Sequence, residues 1–243
     1  MHKELIGLTE FTFGVIDNLD LLQEAYRLRY QVYCHECNFI QEKDYPGGFE
    51  RDEFDPYSIE FFARDSEGLI GTSRLILDSS LGFPLEEHCK NNLTTDISIL
   101  PRNNCAEISR LVISKQLRRR KDDGLYYSPD YTDNQEKDAA AEKENLIKRI
   151  KPMTFGIFKE MYQASKRQDI KYWYVLMEKS LYLLLKIHGF VFNPIGDEIN
   201  FYGPVKPYLA SLEELEKSVR QKLPNLFKYF MDDLEPQYRP IIR

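Results

Sequence analysis

"CAEISRLVIS", residues 105–114, is the stretch on which the fold turns. Its apolar and β-branched residues read as a strand, and they suit a central place in a sheet. Yet it carries Glu107 and Arg110. A charge inside a central strand is costly to bury unless paired, so both residues ask for partners or a ligand. Side chains alternate along a strand, so the two should point to opposite faces unless a bulge intervenes.

Working outward, the neighbouring elements can be placed by period. Upstream, "IEFFARD" (59–65) and "LIGTSRLILD" (69–78) form a hairpin signal, with Arg74 inside the second strand. "EFTFGVI" is a short first strand. Leu21, Ala25, Leu28 and Val32 then fall at helical spacing, which predicts a helix from Asp20 to about Glu36 with Asn18 or Asp20 as N-cap. Residues 40–58 read as a polar loop and 78–104 as an irregular excursion.

Downstream, "IKYWYVLME" is a second buried strand, preceded by a helix from about Glu144 to Arg167 that faces inward through Phe155, Phe158 and Met161. "KSLYLLLKIHG" is a helix closed by Gly189. "FVFNPI" and "INFYGPV" are expected to complete the sheet, and "SLEELEKSVRQKL" to begin with a Ser211/Glu214 capping box. The expectation is one α/β domain over 1–222: a mixed, mostly antiparallel sheet with helices on both faces. Residues 121–143 read as a mobile insertion, and 223–243 as a tail packing back on the domain.

Composition bounds the function. The chain has 243 residues, 42% of them apolar, and a net charge of −6, which speaks against a general nucleic-acid binder. The N-terminus lacks a signal-peptide pattern, and the longest apolar runs are too short to span a bilayer. With four cysteines and no secretory signal, a cytoplasmic location is expected. Cys34-His35-Glu36-Cys37 invites a zinc or redox reading. Zinc needs a second ligand pair, and a redox pair belongs at the start of a helix. Here the motif falls in a last helical turn and has no partner motif, so no metal site is expected.

Three charge clusters carry the candidate chemistry: Glu50, Asp52 and Asp55 in "FERDEFD", Arg74 in "GTSRL", and Glu107 with Arg110. Arg74 and Arg110 can be internal ion-pair partners of Asp52 and Asp55, or all can surround a ligand. In order, Arg29-x-x-Val32-Tyr33, Phe39, Glu50-x-Asp52-x-x-Asp55, Gly71-Thr72-x-Arg74-Leu75 and Glu107-x-x-Arg110-Leu111 resemble the autoinducer (acyl-homoserine-lactone) synthases. The same pattern is similar to the N-acyl amino acid synthases. It resembles most, over nearly the full length, the acyltransferases associated with exosortase (PEP-CTERM) protein-sorting systems. All belong to the wider GNAT acyltransferase fold.

The resemblance implies an N-acyltransferase that moves a long acyl group from acyl carrier protein or acyl-CoA to a small amine, of an amino acid or related metabolite. It implies no tightly bound cofactor. It places Arg29, Tyr33, Phe39, Glu50, Asp52, Asp55 and Arg74 around the acceptor, Glu107 as general base and Arg110 as the residue ordering the acidic loop. Leu111, Val112 and Ile113 would hold the acyl donor, with Arg118, Arg119 and Arg120 meeting phosphate or an acidic carrier protein. Leu176, Met177, Leu181, Leu184 and Phe158 can line an acyl tunnel or serve as plain core.

The sequence also departs from the family pattern. Phe39 replaces an indole common in the autoinducer synthases, so the face that takes S-adenosylmethionine there is expected to differ. The tyrosine that often protonates the leaving thiol is Leu185 here, with Tyr182 as its candidate substitute. Two rival readings are an acetyl-CoA-dependent enzyme acting on a small amine and a non-catalytic module that binds an acyl ligand.

Overall fold

The computed structural model describes residues 11–114 and 136–240. Strand β1 (Thr12–Val15) precedes helix α1 (Leu19–Tyr30), which Asn18 caps by accepting the Leu21 N–H at 2.9 Å. At Gln31–Glu36 this helix widens into a π-turn, with the Cys37 N–H reaching back to the Val32 carbonyl. Such widened turns rotate the side chains that follow them and recur at functional sites. The cysteine motif lies in this turn. Cys34 is buried, and all four cysteines are free thiols.

The hairpin follows as β2 (Ser58–Arg64) and β3 (Leu69–Leu77). A short helix α2 (Pro84–His88) stands inside the excursion expected to be irregular, and β4 (Cys105–Ile113) comes next. Helix α3 (Glu136–Arg167) begins eight residues before the expected Glu144, so the second part of the expected insertion is helical. Then come β5 (Tyr172–Met177), α4 (Lys179–Ile187), two-residue strands β6 (Asn193–Pro194) and β7 (Ile199–Asn200), and β8 (Pro204–Ser211). Helices α5 (Leu212–Lys222) and α6 (Pro224–Met231) close the chain.

The sheet has eight strands in the order β1-β2-β3-β4-β5-β8-β6, with β7 also on β8. Every pairing is antiparallel except β4 with β5. The sequence placed the closing strands in "FVFNPI" and "INFYGPV". The strand that actually closes on β5 is "PVKPYLAS", with Pro207 opposite Leu176. Its prolines and weak alternation conceal it. The expected Ser211 capping box is also absent, because the Ser211 side chain makes no capping bond.

One face of the sheet is apolar. There α3 supplies Met153, Phe155, Phe158 and Met161, α4 supplies Leu181 and Leu185, and α6 supplies Leu226, Phe227 and Phe230. Ala106 and Ile108 of β4 point into this core, and so do Leu111 and Ile113. The change from even to odd numbers marks an extra residue. Arg74 pairs with Ser109 but Thr72 pairs with Val112, so two residues of β4 oppose one of β3. Arg110 takes the strain, with φ at +55° in the left-handed region. The bulge turns Arg110 onto the same face as Glu107, resolving the conflict posed by their spacing.

Candidate active site

On the opposite face, three arginines and four carboxylates from four separated segments form one lattice, in which Arg29, Glu50, Glu60 and Arg74 are buried and Asp52 and Arg110 are partly exposed. Arg29, fully buried at the end of α1, donates to Glu50 Oε2 at 2.5 Å, to both Asp55 oxygens at 2.9 and 3.2 Å and to Glu60 Oε1 at 3.2 Å. Arg74 clamps Asp52 with both terminal nitrogens at 2.6 and 2.8 Å and reaches Asp55 Oδ1 at 2.6 Å. Its Nε holds the Ser109 hydroxyl at 2.8 Å. Arg110 bridges Glu50 and Asp52 at 3.0 and 2.9 Å. Asp52 and Asp55 also shape their own loop, accepting the backbone N–H groups of Phe54 and Asp52. The acidic segment is thus clamped between α1 and the sheet.

Burial pushes the Asp55 carboxyl up, but Arg29 and Arg74 overturn that and hold it well below the usual range. Asp52 is also lowered, its burial outweighed by Arg74 and Arg110. Glu60 and Glu107 go the other way. Burial pushes Glu60 up to about 8 against the pull of Arg29, and its Oε2 has no hydrogen-bond partner. Glu107, 2% exposed, is also raised by burial to about 8, against the Leu85 N–H, Arg74 and Arg110. With Glu60 and Glu107 holding protons, the three arginines balance Glu50, Asp52 and Asp55.

Glu107 is positioned by α2, whose unpaired first-turn N–H at Leu85 donates to its Oε2 at 2.9 Å. Its other oxygen makes no hydrogen bond among the described residues. Beside it the sheet opens. The parallel β4–β5 pairing ends at Ile108 with Val175, though both strands continue. A cavity of about 350 Å³ occupies this gap. Glu107, Ser109 and Arg110 border it on β4, and Leu176, Met177 and Glu178 face them from β5 and its end. Phe158, Leu181, Leu185 and Phe192 line its apolar side. Tyr33, Phe39, Tyr45, Phe201 and Tyr202 make an aromatic wall on the other side.

Of the residues singled out in the sequence, Tyr33, Phe39, Glu50, Asp52, Arg74, Glu107, Arg110 and Leu111 line this cavity. Arg29 and Asp55 lie behind the lining and brace it. Val112 and Ile113 are buried and are not among the lining residues. Tyr182 is not there either. Its ring stacks on Tyr208 with centroids 4.7 Å apart. Leu176, Met177, Leu181 and Phe158 do reach the cavity, whereas Leu184 is absent from its lining. Arg118, Arg119 and Arg120 lie outside the described residues.

Three features escaped sequence reasoning. Glu60 sits in "IEFFARD" between apolar neighbours, the same sign of a buried charge that drew attention to Arg74. The α2 turn that anchors Glu107 was hidden in the excursion. The aromatic pair Phe201–Tyr202 fell within a supposed strand and instead forms a turn, with Tyr202 at φ +55°. Among the described residues no group of His, Cys, Asp and Glu is arranged to hold a metal ion, and no helix is long and apolar enough to cross a membrane.

Residues 28–127 match the model of the acetyltransferase (GNAT) domain. No protein of curated function matches the chain. Solved structures share the fold over nearly the whole length. FeeM, an N-acyl amino acid synthase from uncultured soil microbes, aligns over 87% of this chain and 96% of its own, with 14% identity and a TM-score of 0.57. TofI, solved with an inhibitor and MTA, covers 95% and 100%, with 15% identity and a TM-score of 0.61. BjaI, a CoA-dependent acyl-homoserine lactone synthase solved with SAM and isopentyl-CoA, covers 90% and 89%, with 16% identity and a TM-score of 0.58. At such identities the likeness is one of fold: the chain has the mixed α/β GNAT architecture.

Proposed function

We propose that this chain is an N-acyltransferase, with residues 1–222 as its catalytic domain, that moves an acyl group from an acyl-CoA or acyl-carrier-protein thioester to a small amine. The observation that carries this reading is the placement of Glu107. A buried carboxyl with a raised affinity for protons stands at the point where β4 and β5 part, with one oxygen left for a ligand. Two of the structural relatives, FeeM and BjaI, are an N-acyl amino acid synthase and a CoA-dependent acyl-homoserine lactone synthase, which is the same class of chemistry.

In the proposed step, the neutral amine attacks the thioester carbon. A tetrahedral oxyanion forms, held by backbone N–H groups of β4 just beyond the end of its pairing with β5. The carbon–sulfur bond then breaks. Glu107 takes the proton released by the amine, directly or through a water. A carboxyl titrating near 8 lies close to a thiol at about 8.5, so the same group can return that proton to the leaving thiolate. This role removes the need for a tyrosine at position 185 and for Tyr182. Arg110 and Arg74 fix the acidic loop around the acceptor and take no proton.

The apolar side of the cavity, with Phe158, Leu181, Leu185 and Phe192, favours an acyl chain longer than acetyl over the acetyl-CoA alternative. The association with exosortase systems and the cytoplasmic location rest on sequence resemblance and composition alone. The test is thioester consumption with acetyl-CoA and long-chain acyl donors against a panel of amines, using wild type and Glu107→Gln. We expect turnover with the longer donors and a loss of about 10²–10⁴-fold in the variant, with its circular dichroism spectrum unchanged. The wild-type rate should rise with pH toward 8, and the variant should lack that limb. Full activity in Glu107→Gln would remove the base. Binding of acyl thioester without consumption would instead mark a sensing module.

A further inference from the structure

The acyl-transfer reading leaves the acceptor open, and the charges around Glu107 narrow it. A free amino acid carries its carboxylate two bonds from the amine that must reach the base. A cavity built for one needs a cation nearby whose charge is not already matched. Among the described lining residues the arginines are Arg74 and Arg110. Arg74 is matched by Asp52 and Asp55, and Arg110 by Glu50 and Asp52. Arg29, behind them, serves Glu50, Asp55 and Glu60. His88, at the rim of the cavity, is held toward its neutral form by partial desolvation and by Arg110, against the pull of Glu87. Glu53, Glu87 and Glu107 add further carboxyls to the same lining. The described lining therefore carries more acid than base, even with a proton on Glu107.

The aromatic wall points the same way. Phe39 and Tyr202 stack with centroids 5.5 Å apart, and Phe201 lies 4.1 Å from the His88 ring. The turn that presents them is fixed by the Phe201 N–H to the Gly203 carbonyl and by the Gly203 N–H to Asn200 Oδ1. Aromatic faces beside carboxylates attract organic cations and give an anion nothing in return. The free oxygen of Glu107, nine-tenths buried and facing this space, is a ready acceptor for one ammonium group.

We infer that the acceptor is a cationic amine without a free carboxylate, of the diamine and polyamine class. One amine meets Glu107 while the second positive charge lies between the aromatic wall and the carboxylates of Glu53 and Glu87. This departs from the amino-acid acceptor implied by the sequence resemblance.

The test uses the full-length protein, one long-chain acyl-CoA donor and matched pairs of amines: cadaverine with lysine, putrescine with ornithine, tyramine with tyrosine. Product is read by mass spectrometry and rate by released thiol. The decarboxylated member of each pair should exceed its amino acid by at least about tenfold in kcat/KM, since like charges brought together in a desolvated site repel strongly. Cadaverine should also exceed pentylamine. Glu87→Lys, at the exposed mouth, should narrow the lysine–cadaverine gap at least about threefold. Amino acids that equal or outdo their partners would overturn the inference and leave acyl transfer standing, and so would a gap that Glu87→Lys leaves unchanged. Failure of every amine to be acylated would instead overturn the acyl-transfer reading.

Discussion

Replacing Arg29 by methionine tests whether the charge lattice holds the acidic loop as described. Methionine keeps much of the apolar stem and removes the guanidinium. The residue is fully buried, its charge is matched by Glu50 and Asp55, and it also donates a hydrogen bond to Glu60. Removing one partner of a buried ion pair costs about 3–5 kcal/mol. Here Glu50 keeps Arg110, Asp55 keeps Arg74, and Glu60 already tends to hold a proton. The loss should therefore fall near the lower end, about 3 kcal/mol at pH 7, still a large share of a typical total of about 5–15. The sign of the pH dependence is also set. In the wild type Asp55 titrates below its unfolded value, so its contribution is complete above about pH 4 and is lost on acidification. Without Arg29 its folded value rises, and the variant regains stability as the carboxyls take up protons. The deficit should therefore shrink between pH 7 and pH 5 in urea melts with unchanged m-values. A deficit under about 1 kcal/mol at pH 7, or one that grows on acidification, would refute the reasoning.

Glu60→Gln isolates the second raised carboxyl. A folded value near 8 against an unfolded value near 4.3 means that wild-type stability falls as pH rises from about 5 to 8, and the variant should flatten that slope in the same melts. A slope unchanged by the substitution would assign the titration elsewhere. Phe158→Leu shortens a side chain that is 1% exposed and lines the apolar side of the cavity. It should cost about 1–2 kcal/mol and shift donor preference toward longer acyl chains in competition assays; an unaltered preference would place the acyl chain elsewhere.

Most of the frame was legible in local pattern. Helices α1 and α4 show a helical repeat that matches their burial, whereas β3, β4 and β5, buried on both faces, read as short apolar runs bounded by turns. What stayed hidden depends on contacts between distant segments. Strand β8 lacks alternation and carries prolines, and it is recognised only through its pairing with β5. The site was legible in its residue types: most of the charged and aromatic residues singled out line one cavity. Their layering was not, since nothing local separates Asp52, which faces the cavity, from Asp55, which braces it from behind. Glu107 could be suspected, but not that the N-terminus of α2 would hold one of its oxygens. Glu60 could have been found by asking of β2 the question asked of β3 and β4: what pays for a charge in an apolar strand?

The extra residue in β4 makes that strand a splice of two reading frames. Before Arg110 the even-numbered residues belong to the apolar layer, and after it the odd-numbered ones do. A designer who shortened the strand by one residue to idealise it would not merely lose an arginine. Leu111 and Ile113 would swap sides with Val112, and the hydrophobic layer and the charged layer would each inherit the other's residues from that point on. Insertions and deletions should therefore be far less tolerated in these few positions than any single substitution, and alignments that slide through them without a gap will misassign the face of every later residue in the strand.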